Sequence, residues 1–138
     1  MEPDILAFLR QQKTYTVGTM GPDHPWVATM YFADDGKALY SAIKGDAITL
    51  SHVASHPTVA FAVNGSAPDY FLQGLGTAED LGFFEAFPEV RRLLEDKAPE
   101  IARFLNSVPK LHALRIQPTE FFTTDHRERI SARLKTRA

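Results

Sequence analysis

Between Pro25 and Glu79 the sequence sets out two β-type runs joined by the Asp34-Asp35-Gly36 turn, and then a short helical stretch. The His56-Pro57 dipeptide leads into two more β-type runs, the second ending in Gly74-Leu75-Gly76. No other feature of the chain limits the fold as much. Short strands interrupted by one small helix point to a barrel, and a barrel of this kind carries its ligand in a groove.

The chain has 138 residues, enough for one domain that buries about two-thirds of the surface its unfolded form exposes. Its net charge of −2 gives no general attraction to nucleic acid or anionic lipid. From Thr14 to Val90 the only cations are Lys37 and Lys44, so the basic stripe a nucleic-acid-binding barrel needs is missing. Arg127, Arg129, Arg133, Lys135 and Arg137 crowd the C-terminus instead. With no cysteine, disulfides, thiolate catalysis and cysteine-held metals are excluded. The acidic start Met1-Glu2-Pro3-Asp4 lacks the pattern of a secretory signal, and no apolar run reaches membrane-spanning length. A soluble cytoplasmic protein with no membrane partner is expected, with one domain over residues 1–125 and a basic tail over 126–138.

Pro3 and Asp4 start a helix with Ile5, Leu6, Phe8 and Leu9 on its apolar side. Thr14 to Met20 reads as a strand ending at the Gly21-Pro22-Asp23 turn, and Trp26 to Phe32 as a strand apolar on both faces, as if covered on both sides. Lys37 to Ile43 is expected to return as its hairpin partner. Asp46 is expected to cap a helix that turns Ile48, Leu50 and Val53 inward and stops near His56, before Pro57. Thr58 to Val63 and Asp69 to Ala78 follow as strands about the Asn64-Gly65-Ser66 turn, with Gly74 and Gly76 marking a bulge or a close backbone approach. Helical spacing is expected from Asp80 through Leu105, divided at Pro99. Lys110 to Gln117 and Glu120 to Thr124 read as the last strands, and the tail from Asp125 as a frayed helix or disordered chain.

This order resembles the split β-barrel of the pyridoxamine 5′-phosphate oxidase-like flavoprotein family. The resemblance rests on Pro25-Trp26-Val27-Ala28-Thr29-Met30-Tyr31-Phe32, Leu39-Tyr40-Ser41, Leu50 with His56-Pro57-Thr58-Val59-Ala60-Phe61, Gly74-Leu75-Gly76-Thr77-Ala78-Glu79, and Leu114-Arg115-Ile116-Gln117-Pro118-Thr119-Glu120-Phe121-Phe122. It implies a mainly β fold with α: an antiparallel, Greek-key-like split β-barrel with peripheral helices. It further implies a homodimer holding a small-molecule ligand, flavin mononucleotide (FMN), at the subunit interface. Some relatives hold a deazaflavin or haem instead.

An FMN site needs donors for a phosphate dianion, an apolar slot for the isoalloxazine ring, and donors near its pyrimidine edge. The resemblance places Val27, Ala28, Thr29 and Met30 beside the ring. It places Ser41 and Lys44 near the phosphate, with the N–H groups of Ala47, Ile48 and Thr49 available to an anion. Gln73 would reach the flavin edge of the neighbouring subunit's site. In one respect the chain departs from the family. Three residues before the leucine matched by Leu50, where the family usually has Lys or Arg, stands Ala47, with Asp46 beside it. Lys44 on its flexible stem, or Arg91, Arg92 or the basic tail, would have to supply the missing cation.

Other residues have plainer readings. His52 and His56 share a helix face at metal-pair spacing, but no third ligand is evident, and a histidine near a helix C-terminus is favoured by the dipole alone. No metal is therefore expected. His24, His112 and His126 have the side chain of a haem ligand but no haem-attachment motif. Phe83, Phe84 and Phe87 suit core or dimer contact, Phe121 and Phe122 point to opposite faces, and the basic tail is a solvated end or a cover for an anionic ligand. No side chain stands out as nucleophile or proton donor. The sequence thus supports an FMN-dependent oxidoreductase. The alternative is a non-catalytic dimeric split-barrel binding module with a degenerate flavin site, holding haem, another tetrapyrrole or no cofactor. An unrelated small barrel serving as an interaction scaffold is a third reading.

Overall fold

Alternation of side chains sets the strands, and the paired strands set the barrel. The computed structural model describes residues 1–65, 70–125 and 132–138. In chain order the elements are α1 (Pro3–Gln11), β1 (Thr14–Met20), β2 (Pro25–Tyr31), β3 (Ala33–Asp34), β4 (Leu39–Lys44), α2 (Ile48–Ser55), β5 (Thr58–Asn64) and β6 (Tyr70–Phe83). Then come α3 (Pro88–Lys97), α4 (Ala102–Ser107), β7 (Leu111–Asp125) and β8 (Ala132–Arg137), with 3₁₀ turns at Phe84–Ala86 and Pro99–Ile101.

In β1 the inward residues are Tyr15, Val17 and Thr19; in β5 they are Val59, Phe61 and Val63. With Phe32, Leu72, Leu114 and Phe121 they fill the barrel interior, and α1 closes it with Ile5 and Leu9. Fully burying a side chain of this kind contributes about 1.5–3 kcal/mol. The Glu2 carboxylate caps α1, accepting the Asp4 and Ile5 N–H groups at 3.0 and 3.1 Å. A second core lies outside the barrel wall, where Phe84, Val90, Leu94 and Leu105 pack with Ala42 and Ala113.

The strands form one eight-stranded sheet with path β2-β1-β5-β6-β7-β4-β3, and β8 also pairs with β7. All of its pairings are antiparallel. Long β6 and β7 let the sheet curl, with register shifts between Leu75 and Gly76 and between Asp80 and Gly82. Gly74 is dictated by the interior: a Cβ there would lie 2.1 Å from the Phe61 ring. The curled sheet brings β2 against β4 without pairing them. That unpaired seam splits the barrel. The fold is mainly antiparallel β, with four α-helices among the described residues, a split β-barrel.

Several expectations are corrected. β4 is not the hairpin partner of β2; the Asp34-Asp35-Gly36 turn is real but joins β4 to the two-residue β3. The Asp35 carboxylate fixes it by accepting the Lys37 and Ala38 N–H groups, with Gly36 at φ 91°. β2 is not covered on both sides in the single chain, since Trp26 and Val27 are 41% and 67% exposed. The N-cap of α2 is Ala47 rather than Asp46, no side chain bonds there, and Ile48 is exposed while Leu50 and Val53 are buried. β6 runs on to Phe83, so helical structure starts later than Asp80. The two expected last strands are one, because Pro118, which has no N–H to pair, sits opposite Gly76 beside the bulge. Ala132–Arg137 is neither helical nor disordered but a strand on β7. Ser66 of the expected turn, together with His126, Arg127 and Arg129, lies outside the described residues.

Candidate functional site

The seam between β2 and β4 opens into a groove of about 620 Å³. Its lining is mostly apolar: Trp26, Ala28 and Met30 come from β2, Ala42 and Ile43 from β4, and Ile101 and Phe104 from the α4 region. The start of α2 forms one wall, through Ala47, Ile48 and Thr49, with Lys44 and Asp46 beside it. The chain reaches this wall from β4 by a tight turn in which the Ala47 N–H donates to the Lys44 carbonyl at 3.0 Å.

Six of the nine residues singled out from the sequence meet here: Ala28, Thr29, Met30, Lys44, Ala47 and Thr49. Three do not. Val27 and Gln73 line a separate depression of about 440 Å³ on the outer face of β1, β2, β5 and β6. The Ser41 side chain points into the barrel interior, wholly buried, with its Oγ 2.7 Å from the Tyr15 hydroxyl, and is not presented to the groove. Ser41 belongs to the alternating inward set of β4, like Leu39. Burial pushes the Tyr15 phenol up, against the opposing effect of its bond with Ser41.

The polar chemistry of the groove is sparse and concentrated at one end. The first N–H groups of an α-helix have no intrahelical acceptor, and no side chain caps α2, so those of Ile48 and Thr49 have no hydrogen-bond partner among the described residues. Thr49 Oγ1 is buried and, among the described residues, is the one buried side-chain polar atom without a hydrogen-bond partner. A buried hydroxyl left unpaired costs about 1–3 kcal/mol. Lys44 is exposed and joins no ion pair among the described residues.

These donors fit the phosphate end of a flat heteroaromatic nucleotide, and the apolar floor fits its ring. The fit is partial, because Asp46 adds a carboxylate and Ala47 adds no cation. Three of the other suggested cations, Arg91, Arg92 and Lys135, lie elsewhere. Arg91 is engaged with Glu95 and Asn106 on α3 and α4, and Arg92 borders a separate pocket beside Asp35 and Arg115. Lys135 pairs with Glu120 at 3.2 Å on the β7–β8 edge.

His52 is buried with Nδ1 3.1 Å from Thr19 Oγ1, whereas exposed His56 bonds its neighbour Ser55. No group of three or more metal-ligating side chains occurs among the described residues, nor is any described helix long and apolar enough to cross a membrane. Phe84 is core, while Phe83 is exposed against His112. Sequence reasoning missed one polar pair: His112 Nδ1 lies 2.9 Å from Asp80 Oδ1. The two residues are 32 apart in the chain and meet only through the β6–β7 register, for which no local motif exists.

The family described as pyridoxamine 5′-phosphate oxidase matches residues 1–125. No curated protein matches at a significant level. Among solved structures, a conserved hypothetical protein from Mycobacterium tuberculosis is similar at TM-score 0.76 and 24% identity, covering 93% of this chain and 86% of that one. A candidate pyridoxamine 5′-phosphate oxidase from Listeria innocua gives TM-score 0.70 at 22% identity, over 87% and 94%. A haem storage protein from Vibrio cholerae gives 0.70 at 19%, over 85% and 89%. At these identities the solved structures share the fold.

Proposed function

Since the chain belongs to the pyridoxamine 5′-phosphate oxidase family, we propose that it is an FMN-dependent oxidoreductase whose flavin lies in the β2–β4 seam of a homodimer. The observation that carries this reading is Thr49 Oγ1, buried without a partner in the wall of an apolar groove beside the uncapped start of α2. A ligand phosphate satisfies that hydroxyl and the Ile48 and Thr49 N–H groups together, with Lys44 as the cation. Ala28, Met30 and Ile43 hold the ring and keep water from it. A bound flavin supplies hydride or electron transfer, and the chain contributes position and a dry pocket.

The dimer is supported by what β2 and β6 leave bare. Val27 and Leu75 are exposed on the outer face beside the small residues Gly18, Ala60 and Ala62, and Met20 and Trp26 are exposed nearby. A second copy covering this face removes Val27 and Gln73 from solvent. FMN titration followed by flavin fluorescence, together with the mass of the protein in solution, tests both parts. Saturable quenching in a dimer is expected; a monomer that leaves flavin fluorescence unchanged contradicts the reading.

A second reading, a non-catalytic binding module, is favoured by the Ala47 position, which leaves the phosphate end one cation short. The fold is shared with a haem storage protein, so a tetrapyrrole is its natural alternative occupant. Titration with haemin, read by a Soret band, distinguishes the two.

A further inference from the structure

Two histidines from separate elements lie side by side where the β1–β2 turn meets α2. The rings of His24 and His52 are 5.3 Å apart between centroids and inclined at 56°. We propose that they bind a divalent transition-metal ion, held through the two Nε2 atoms and completed by water. The site shares no residue with the flavin donors at the start of α2, and it does not depend on the redox reading.

Each ring is held by its other nitrogen. His24 Nδ1 is 3.0 Å from the Pro25 carbonyl oxygen, which only accepts, so Nδ1 carries the proton and Nε2 keeps its lone pair. His52 Nδ1 is 3.1 Å from Thr19 Oγ1, which accepts a hydrogen bond in the same way. Ligating histidines are oriented by such outer partners, which fix the tautomer and make the free nitrogen a better ligand. Nε2 of His52 has no partner among the described residues, yet the buried unpartnered side-chain atom there is Thr49 Oγ1 alone. That nitrogen therefore reaches solvent, although His52 as a whole is only 5% exposed.

The spacing suits one ion. With metal–nitrogen bonds of about 2.0–2.1 Å and a tetrahedral angle, two imidazoles ligating through Nε2 stand roughly 5 Å apart between centroids. The turn that carries His24 is closed by the Gly21 N–H, which donates to the His24 carbonyl at 3.1 Å. Gly21 also packs on the His52 ring, where any Cβ would collide with Nε2. The glycine thus joins turn to helix and puts no side chain over the ligating edge.

The surroundings suit a cation. Neither β1, β2, α2 nor the turn between the two strands carries a lysine or arginine. Asp23, exposed next to His24, joins no ion pair among the described residues. Imidazole ligands select Zn²⁺, Ni²⁺ or Cu²⁺ over Mg²⁺ or Ca²⁺. Two protein ligands leave positions open for water or a small molecule. They open beside Trp26, which lines the groove and has its ring 6.2 Å from that of His24.

Trp26 is the chain's single tryptophan, so a paramagnetic ion held at His24 quenches its emission. The test is titration of the full chain with Cu²⁺, followed by Trp26 fluorescence and by nitrogen hyperfine splitting in electron paramagnetic resonance. Saturable quenching at one ion per chain, with splitting from two nitrogens, is expected, and a large excess of Zn²⁺ should reverse the quenching. Affinity should fall by more than about tenfold in His24→Ala and in His52→Gln, since loss of an outer partner alone costs that much. His56→Gln and His112→Gln should bind as the wild type does. His24 is exposed, so its variant remains informative even if the buried His52 variant fails to fold. The proposal is overturned if Cu²⁺ does not quench the wild type saturably, or if His24→Ala binds it with unchanged affinity.

Discussion

The Tyr15 hydroxyl and Ser41 Oγ stand 2.7 Å apart, both buried, linking β1 to β4 through the barrel interior. Ser41→Ala leaves the phenol unpaired and should cost about 1–3 kcal/mol in urea unfolding. Its FMN affinity should stay within about twofold of wild type, because the serine faces away from the groove. Full stability with lost FMN binding would place Ser41 at the ligand.

Thr49→Val removes a buried hydroxyl that has no partner in the chain. The free protein should be unchanged or more stable by about 1 kcal/mol. FMN binding should weaken by about tenfold. A large loss of stability in the ligand-free variant would mean that the hydroxyl serves the fold.

Ala47→Arg places a guanidinium at the start of α2, where this chain lacks the family's usual cation. FMN affinity should rise about tenfold, read by quenching of flavin fluorescence. If affinity is unchanged, the phosphate does not lie at the start of α2.

Lys97 provides a pH signature independent of any ligand. Its Nζ donates to the Leu9 and Phe32 carbonyls at 3.0 and 3.1 Å and lies 3.6 Å over the Phe32 ring. Burial pushes the ammonium down to about 8, against the pull of the Asp34 carboxylate. In the unfolded chain lysine keeps its usual value of 10.5. Between these values the unfolded state holds more protons, so this group makes stability rise with pH. Below about pH 8 both states are protonated and the burial penalty is present in full. Lys97→Met should lack that rise, seen as a difference between variant and wild type in urea unfolding across the alkaline range. Parallel profiles would show that Lys97 does not titrate early.

The sequence was most legible where local chemistry decides structure. Pro3 starts α1, Pro57 ends α2, Pro99 separates the helices, and the alternation in β1 and β5 matches the inward set of residues. Pairing was less legible: an Asp-Asp-Gly turn announces a hairpin but not which residues it joins, and Phe32, turning inward after β2, made that choice. The resemblance singled out Ala28, Thr29, Met30, Ala47 and Thr49, which line one groove in the structure. Ser41 was misplaced because its side depends on strand register, and the His112–Asp80 pair was hidden because a 14-residue strand with two irregularities sets it.

Titration of the purified, cofactor-stripped protein with FMN, followed by flavin fluorescence and by the shift in melting temperature, decides whether the β2–β4 groove takes a flavin. Saturable quenching at one flavin per chain, with a higher melting temperature, is expected. Flavin fluorescence and melting temperature that stay unchanged at saturating FMN would rule out a flavin in this groove.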